Sequence, residues 1–279
     1  MSKINTDDFL HARYIADIKR IVIKIGSATL THVTGRLNLR RIESLVKTIA
    51  DIKNAGKEIV LVSSGAVSAG AGKLGMNLPL ADLSVKRAAS AVGQVELMSI
   101  YDRLFGQYGI NVSQLLFTRD VVDIDARRIL AEETINGLIG LDSLPVMNEN
   151  DAVSSDELKF SGNDILSAYA VKLSRAGLLI NLTDKDGLYD KNPSEHPDAT
   201  LIREVDFVTP EVLSYAGGAG SDRGTGGMVT KLRAAEMIAE YKVPMIIASG
   251  RDPEILYDIV EGNIRGTLIH NGGFADRSK

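Results

Sequence analysis

The chain has 279 residues, a formal net charge of −4 from 32 basic and 36 acidic side chains, and no cysteine. Such a length can bury the core of one large α/β domain or two small ones, while the acidic balance offers no field for a nucleic-acid backbone. Disulfides, thiolate zinc sites and cysteine nucleophiles are excluded, and the four histidines, His11, His32, His196 and His270, lack metal-ligand spacing and read as surface or cap residues.

Residues 1–19 are charged and read as an amphipathic helical extension with no apolar signal-peptide core behind it. No apolar run approaches a membrane span, so a soluble cytoplasmic protein is the default expectation. "RIVIKIG" (20–26) predicts a strand. Leu39, Ile42, Leu45, Val46, Ile49 and Ile52 recur at helix-face spacing across 38–54, and the helix is expected to end at Gly56. "EIVLVSS" (58–64) is the next strand, followed by a glycine-rich loop and a long helix across 84–107. Further strands are predicted at 112–118, 144–148, 178–183 and 244–249, with helices near 125–138, 163–175, 227–240 and 253–260. Residues 184–207 contain an Asp-Gly turn, two prolines and a short alternating strand, which together predict a β-hairpin excursion. The alternation of strand and helix argues for an α/β fold with a mainly parallel sheet covered on both faces.

In an open parallel sheet, ligands sit beyond the carboxyl ends of the strands. Lys24 lies inside the first apolar run. A buried ammonium is costly unless paired, so it either aims at an anion or snorkels to water from an edge strand. Ser64 and Gly65 stand at the second strand end, where small residues let backbone N–H groups approach an anion. "GAGKLG" (70–75) fits a dinucleotide-binding pattern but lies several residues past its strand and is rejected, and no P-loop run exists. Asn148, Glu149, Asn150 and Asp151 leave the strand at 144–148 together, and Asn163 and Asp164 cap the next helix, as an ordinary N-cap or as part of an acidic, amide-rich pocket for an ammonium. Thr183 and Asp184 offer a hydroxyl and a carboxylate to a ribose or an adenine edge. "GTGGMVTK" (224–231) places free N–H groups at a helix N-terminus with Lys231 about one turn in, which suits a polyphosphate better than a plain surface loop. Lys24 and Lys231 would then clamp one phosphoryl group. No histidine stands in these loops as a general base. An acceptor already ionised at pH 7, such as a carboxylate of pKa about 4.3, needs none.

"VIKIGSATLT", "VSSGAVSAG", "NENDAV", "NDILSA", "LLINLTDKDGLYDKNP" and "GTGGMVTKLRAAEMI", in this order, resemble the amino acid kinase family across about residues 20–270. The resemblance implies a three-layer αβα sandwich, ATP with Mg2+, and transfer of the γ-phosphate to the side-chain carboxylate of L-glutamate, opening proline biosynthesis. It further implies feedback inhibition by proline, a homo-oligomer, and a kinase domain flanked by the extension at 1–19 and a tail at 271–279. Residue by residue, Lys24 and Lys231 match phosphate-binding lysines and Asp164 the aspartate that orients them. Ser64, Asp151 and Asn163 match substrate positions, with Gly65 and Asn148 beside them. Thr183, Asp184 and the run Thr225, Gly226, Gly227, Met228, Val229, Thr230 and Lys231 match nucleotide contacts, and no protein ligand to the metal is assigned. Two departures stand out: Gly162 replaces the aspartate usual before this helix, and the C-terminal PUA domain of many bacterial relatives is expected to be absent. Rival readings are a kinase for N-acetylglutamate or aspartate and a non-catalytic sensor; Asp151 disfavours an acylated amine, because its carboxylate would face a neutral amide.

Overall fold

The computed structural model describes residues 6–32, 34–76, 82–155, 160, 162–217 and 227–274. In chain order the first half contains α1 (Thr6–Asp17), β1 (Arg20–Ile25), α2 (Ser27–Leu30), α3 (Leu39–Asn54), β2 (Glu58–Ser63), α4 (Ala66–Leu74), α5 (Leu83–Gly106), β3 (Val112–Phe117), α6 (Asp120–Asp123), α7 (Asp125–Gly140) and β4 (Leu144–Glu149). The second half contains α8 (Asn163–Ser174), β5 (Leu178–Thr183), β6 (Leu188–Tyr189), β7 (Leu201–Ile202), β8 (Glu204–Val205), α9 (Pro210–Tyr215), α10 (Met228–Ala239), β9 (Met245–Ser249), α11 (Ile255–Val260) and β10 (Thr267–Ile269).

Eight strands form one sheet in the order β3-β4-β2-β1-β5-β9-β10-β8. The six from β3 to β9 run parallel; β10 is antiparallel to β9, and β8 pairs parallel with β10. Because side chains alternate across a strand, β1 feeds two cores. Ile21, Ile23 and Ile25 pack with Ile15 of α1, Ile42 and Leu45 of α3, Tyr101 and Phe105 of α5 and Leu256 of α11. On the opposite face Val22 joins Val60, Val62, Ile135 of α7, Leu166 of α8 and Leu232 of α10. Helices therefore cover both faces, giving the expected αβα sandwich, and each fully buried aliphatic side chain contributes about 1.5–3 kcal/mol. Lys24 falls on the Val22 face at the carboxyl end of β1, where the apolar packing stops. The edge-strand alternative for it is removed, since β1 is hydrogen-bonded on both sides.

Two local expectations need correction. The glycine-rich stretch after β2 is mostly the helix α4, opened by Gly65 at φ +107. Its glycines serve a close approach between helices: a Cβ on Gly70 would sit 1.7 Å from the Ala89 carbonyl oxygen, and one on Gly93 of α5 1.8 Å from that of Ala66. A helix–helix contact of this kind leaves no periodic apolar signature. In the excursion, β6 and β7 do pair antiparallel, but Asp186-Gly187 precedes β6 and the hairpin is closed by residues 190–200, while β8 leaves to join the main sheet. The short elements α2, α6, α9 and β10 carry too few residues for a periodic signal.

Candidate active site

Strand β1 and the first turns of α8 and α10 each bring a charged residue to one place. Asp164, the second residue of α8, is 1% exposed; Lys24 of β1 and Lys231 of α10 are 5% and 4% exposed. Lys24 Nζ lies 2.6 Å from Asp164 Oδ1, and Lys231 Nζ lies 3.1 Å from Asp164 Oδ2. Asn181, paired in register with Lys24 across the β1–β5 ladder, donates its amide to Asp164 Oδ1 at 2.8 Å, and the Thr230 hydroxyl donates to Oδ2 at 2.6 Å. Burial alone would push the Asp164 carboxyl up, but Lys24 and Lys231, with the hydrogen bonds from Lys24 and Thr230, hold it well below the usual carboxylate range. Burial pulls the Lys24 ammonium down; Asp164 opposes that shift and Lys231 adds to it. Two ammonium groups thus share one carboxylate away from water. The residual positive charge favours an anion, and the N-terminus of α10 adds its partial charge in the same place.

One cavity holds this trio and a second lies beside it. The smaller, about 120 Å3, is lined by Lys24, Gly26, Asp164, Thr183, Asp184 and Lys231 among others. The larger, about 360 Å3, is lined by Gly65, Lys86, Arg87, Asn148, Glu149 and Asp151 among others. Ser27, Ser64, Gly162 and Asn163 line both and form the wall between them. That wall is held by an amide network: Asn163 Nδ2 donates to Asn148 Oδ1 at 2.8 Å and to Ser64 Oγ at 2.9 Å, while Asn148 Nδ2 donates to Gln94 Oε1 at 2.8 Å. The backbone N–H of Phe160 donates to Glu149 Oε1 at 3.1 Å, and Ser90 donates to Asp151 at 3.3 Å. Half-buried Lys86 and Arg87 line the larger cavity together with Glu149 and Asp151, so it offers both signs of charge, as an amino acid with an ammonium and two carboxylates requires.

Of the residues singled out from sequence, Lys24, Asp164, Lys231, Thr183 and Asp184 come together at the smaller cavity, and Ser64, Gly65, Asn148, Asp151 and Asn163 at the larger. Thr183 donates its hydroxyl to Asp184 at 3.1 Å. Gly227 caps α10, and Thr230 turns its hydroxyl onto Asp164. Met228 leans on the core, and among the described residues neither it nor Val229 lines the two cavities. Thr225 and Gly226 lie outside the described residues. Sequence reasoning missed Asn181, Gln94, Ser90, Lys86 and Arg87. The first sits inside a strand, and the others belong to one long helix whose polar residues carry no sign of which cavity they face.

The sequence profile of the amino acid kinase family matches residues 19–249. A glutamate 5-kinase of Clostridium tetani is 44% identical over 262 residues, covering 94% of this chain and 98% of that protein. One from Clostridium perfringens is 47% identical over 259 residues, covering 91% and 96%. Among solved structures, a carbamate kinase from Giardia lamblia bound to AMP-PNP aligns over 91% of this chain and 99% of its own with a TM-score of 0.65 at 17% identity. An isopentenyl phosphate kinase aligns over 90% and 99%, with a TM-score of 0.62 at 20% identity. At those identities the structural likeness speaks for the fold alone.

Proposed function

The chain belongs to the amino acid kinase family, and on that premise we propose that it uses ATP to phosphorylate the side-chain carboxylate of L-glutamate, forming γ-glutamyl phosphate for proline biosynthesis. The observation that carries this function is the shared wall: a cavity carrying two lysines opens, across Ser64 and Asn163, onto a cavity that offers both acidic and basic side chains.

The polyphosphate would lie in the smaller cavity, with Lys24 and Lys231 on the transferring phosphoryl group and Thr183 and Asp184 toward the nucleoside. Glutamate would lie in the larger, its ammonium toward Asp151 and its side-chain carboxylate at the Ser64–Asn163 wall. The acceptor oxygen attacks as the anion it already is, so no side chain has to remove a proton. The lysines neutralise charge accumulating on the phosphoryl oxygens, and Asp164 keeps both ammonium groups aimed while leaving the trio net positive. Mg2+ in such sites is held largely by phosphate oxygens and water, and the exposed carboxylate of Asp184 fits an ion that enters with the nucleotide, where it would offset the charge of the phosphates.

Proline inhibition, a homo-oligomer and a cytoplasmic location belong to the same proposal. Among the described residues no helix is long and apolar enough to cross a membrane. Gly162 lines both cavities, so its replacement of the family's usual aspartate bears on acceptor affinity.

The decisive experiment is turnover with Mg-ATP and L-glutamate, trapping the acyl phosphate with hydroxylamine, in parallel with N-acetylglutamate and aspartate. Hydroxamate from glutamate alone, reduced by added proline, is the expected result. Product from another acid would overturn the assignment of the larger cavity, and no product with any acid despite ATP binding would favour the non-catalytic sensor.

A further inference from the structure

We propose that His11, Glu204 and His270 form a binding site for a divalent transition metal of the Zn2+ class, at the end of the sheet opposite the kinase cavities. The sequence gives no hint of it, because the three residues lie in α1, in β8 and just past β10. The fold gathers them nonetheless. β10 runs against β9, with Ile269 opposite Met245, so His270 emerges beside the first residue of β9, at the amino end of the parallel strands. β8 runs alongside β10 and delivers Glu204 to the same edge, and α1 precedes β1 there.

The ligand atoms converge. His270 Nε2 is 3.3 Å from Glu204 Oε2, His11 Nδ1 is 3.9 Å from the same oxygen, and all three atoms lie within 4.8 Å of one another. With metal–ligand bonds of about 2.0–2.2 Å, neighbouring ligands of a tetrahedral zinc lie about 3.4 Å apart, so one pair already fits and His11 needs only a small side-chain adjustment. A second observation points the same way. His11 Nδ1 and His270 Nε2 are both shut off from solvent without a hydrogen-bond partner, and His270 as a whole is only 9% exposed. An imidazole nitrogen left unpartnered beside a carboxylate is costly in a protein interior, and a cation between them satisfies all three.

The surroundings suit a metal ligand set. Asp206 Oδ1 lies 3.6 Å from His270 Nδ1, where its charge favours the tautomer that carries the proton on Nδ1 and leaves Nε2 free for the ion. The Phe274 ring packs 4.3 Å from that of His11 and 4.9 Å from that of His270, closing one side. Two imidazoles and one carboxylate make a donor set that zinc accepts and that leaves a fourth position for water. Occupancy would fasten the N-terminal helix to the antiparallel edge of the sheet.

The test uses the full chain without a histidine tag, stripped with chelator and then dialysed against Zn2+. Bound metal after gel filtration and the thermal midpoint are measured for the wild type and for His11→Ala, Glu204→Gln and His270→Ala. The expected result is one retained equivalent of Zn2+ and a raised midpoint in the wild type, with affinity at least about 10-fold weaker in each variant. Co2+ loading of the wild type gives a readout that does not depend on the folding of any variant. The intense visible absorption of a four-coordinate ion supports the site, and the pale spectrum of the hexa-aqua ion overturns it. Failure of the wild type to retain zinc, or equal retention by correctly folded variants, would overturn the site.

Discussion

At Asp164 one carboxylate faces two buried lysines. Lys231→Ala is expected to lower kcat by about 10²–10³-fold, the loss typical of one preorganised charge-stabilising donor, with an unchanged circular dichroism spectrum. Near-normal turnover would remove Lys231 from the reaction. Asp164→Asn leaves both lysines without a counter-charge and is expected to cost about 3–5 kcal/mol of stability at pH 7 by urea denaturation. The sign of its pH dependence follows from the depressed folded-state pKa of Asp164. Its stabilising contribution is complete above the unfolded carboxylate value near 3.9, and disappears as pH falls toward the folded value. The stability gap between wild type and Asp164→Asn should therefore narrow below about pH 4; a gap that stays constant would contradict the ion-pair account. These charged residues were legible in the sequence because a lysine in an apolar strand, or one turn past a glycine run, violates the local pattern. Asn181 and Gln94 were not, since a buried amide satisfied by a distant partner breaks no local rule. Thr230 was singled out as a nucleotide contact, and its bond to Asp164 was not foreseen.

Among the elements, α4 and α5 do most to place the acceptor cavity, and their contact depends on two missing side chains. Gly70→Ala would force a methyl group to within 1.7 Å of the Ala89 carbonyl oxygen, so the helices must separate. A stability loss of at least about 1–3 kcal/mol is expected, together with a raised KM for glutamate, because α4 follows directly from Ser64 and Gly65 and α5 carries Lys86 and Arg87. Unchanged melting and KM would show that the contact relaxes at no cost. The strands and long helices were legible to within a residue or two from period and branching. The character of 64–75 was not, because glycine spacing that permits close helix approach looks, in one dimension, like a phosphate loop.

Across the whole molecule, the sheet sets the direction of chemistry: the parallel strands β1, β2, β4 and β5 end at the kinase cavities, and the antiparallel β10 turns back toward the opposite end. Nucleotide binding should stabilise the entire fold, by about 2.7 kcal/mol at a concentration 100 times Kd. A non-hydrolysable ATP analogue is accordingly expected to raise the thermal midpoint of the wild type and to lose that effect in Lys231→Ala; an equal rise in both would place the nucleotide elsewhere. The strand order has one more consequence. From β1 the chain builds β2, β3 and β4 on one side, then crosses to build β5 and β9 on the other, so the acceptor cavity draws mainly on residues 64–163 and the donor cavity on residues 24–29, the end of β5 and α10, with a four-residue wall as the seam. The two cavities stay tied through Asp164, which holds the lysines of β1 and α10, and through the shared wall. A chimaera that exchanged only residues 64–155 would change most of the acceptor cavity and keep Lys24, Asp164 and Lys231 at the phosphate donor.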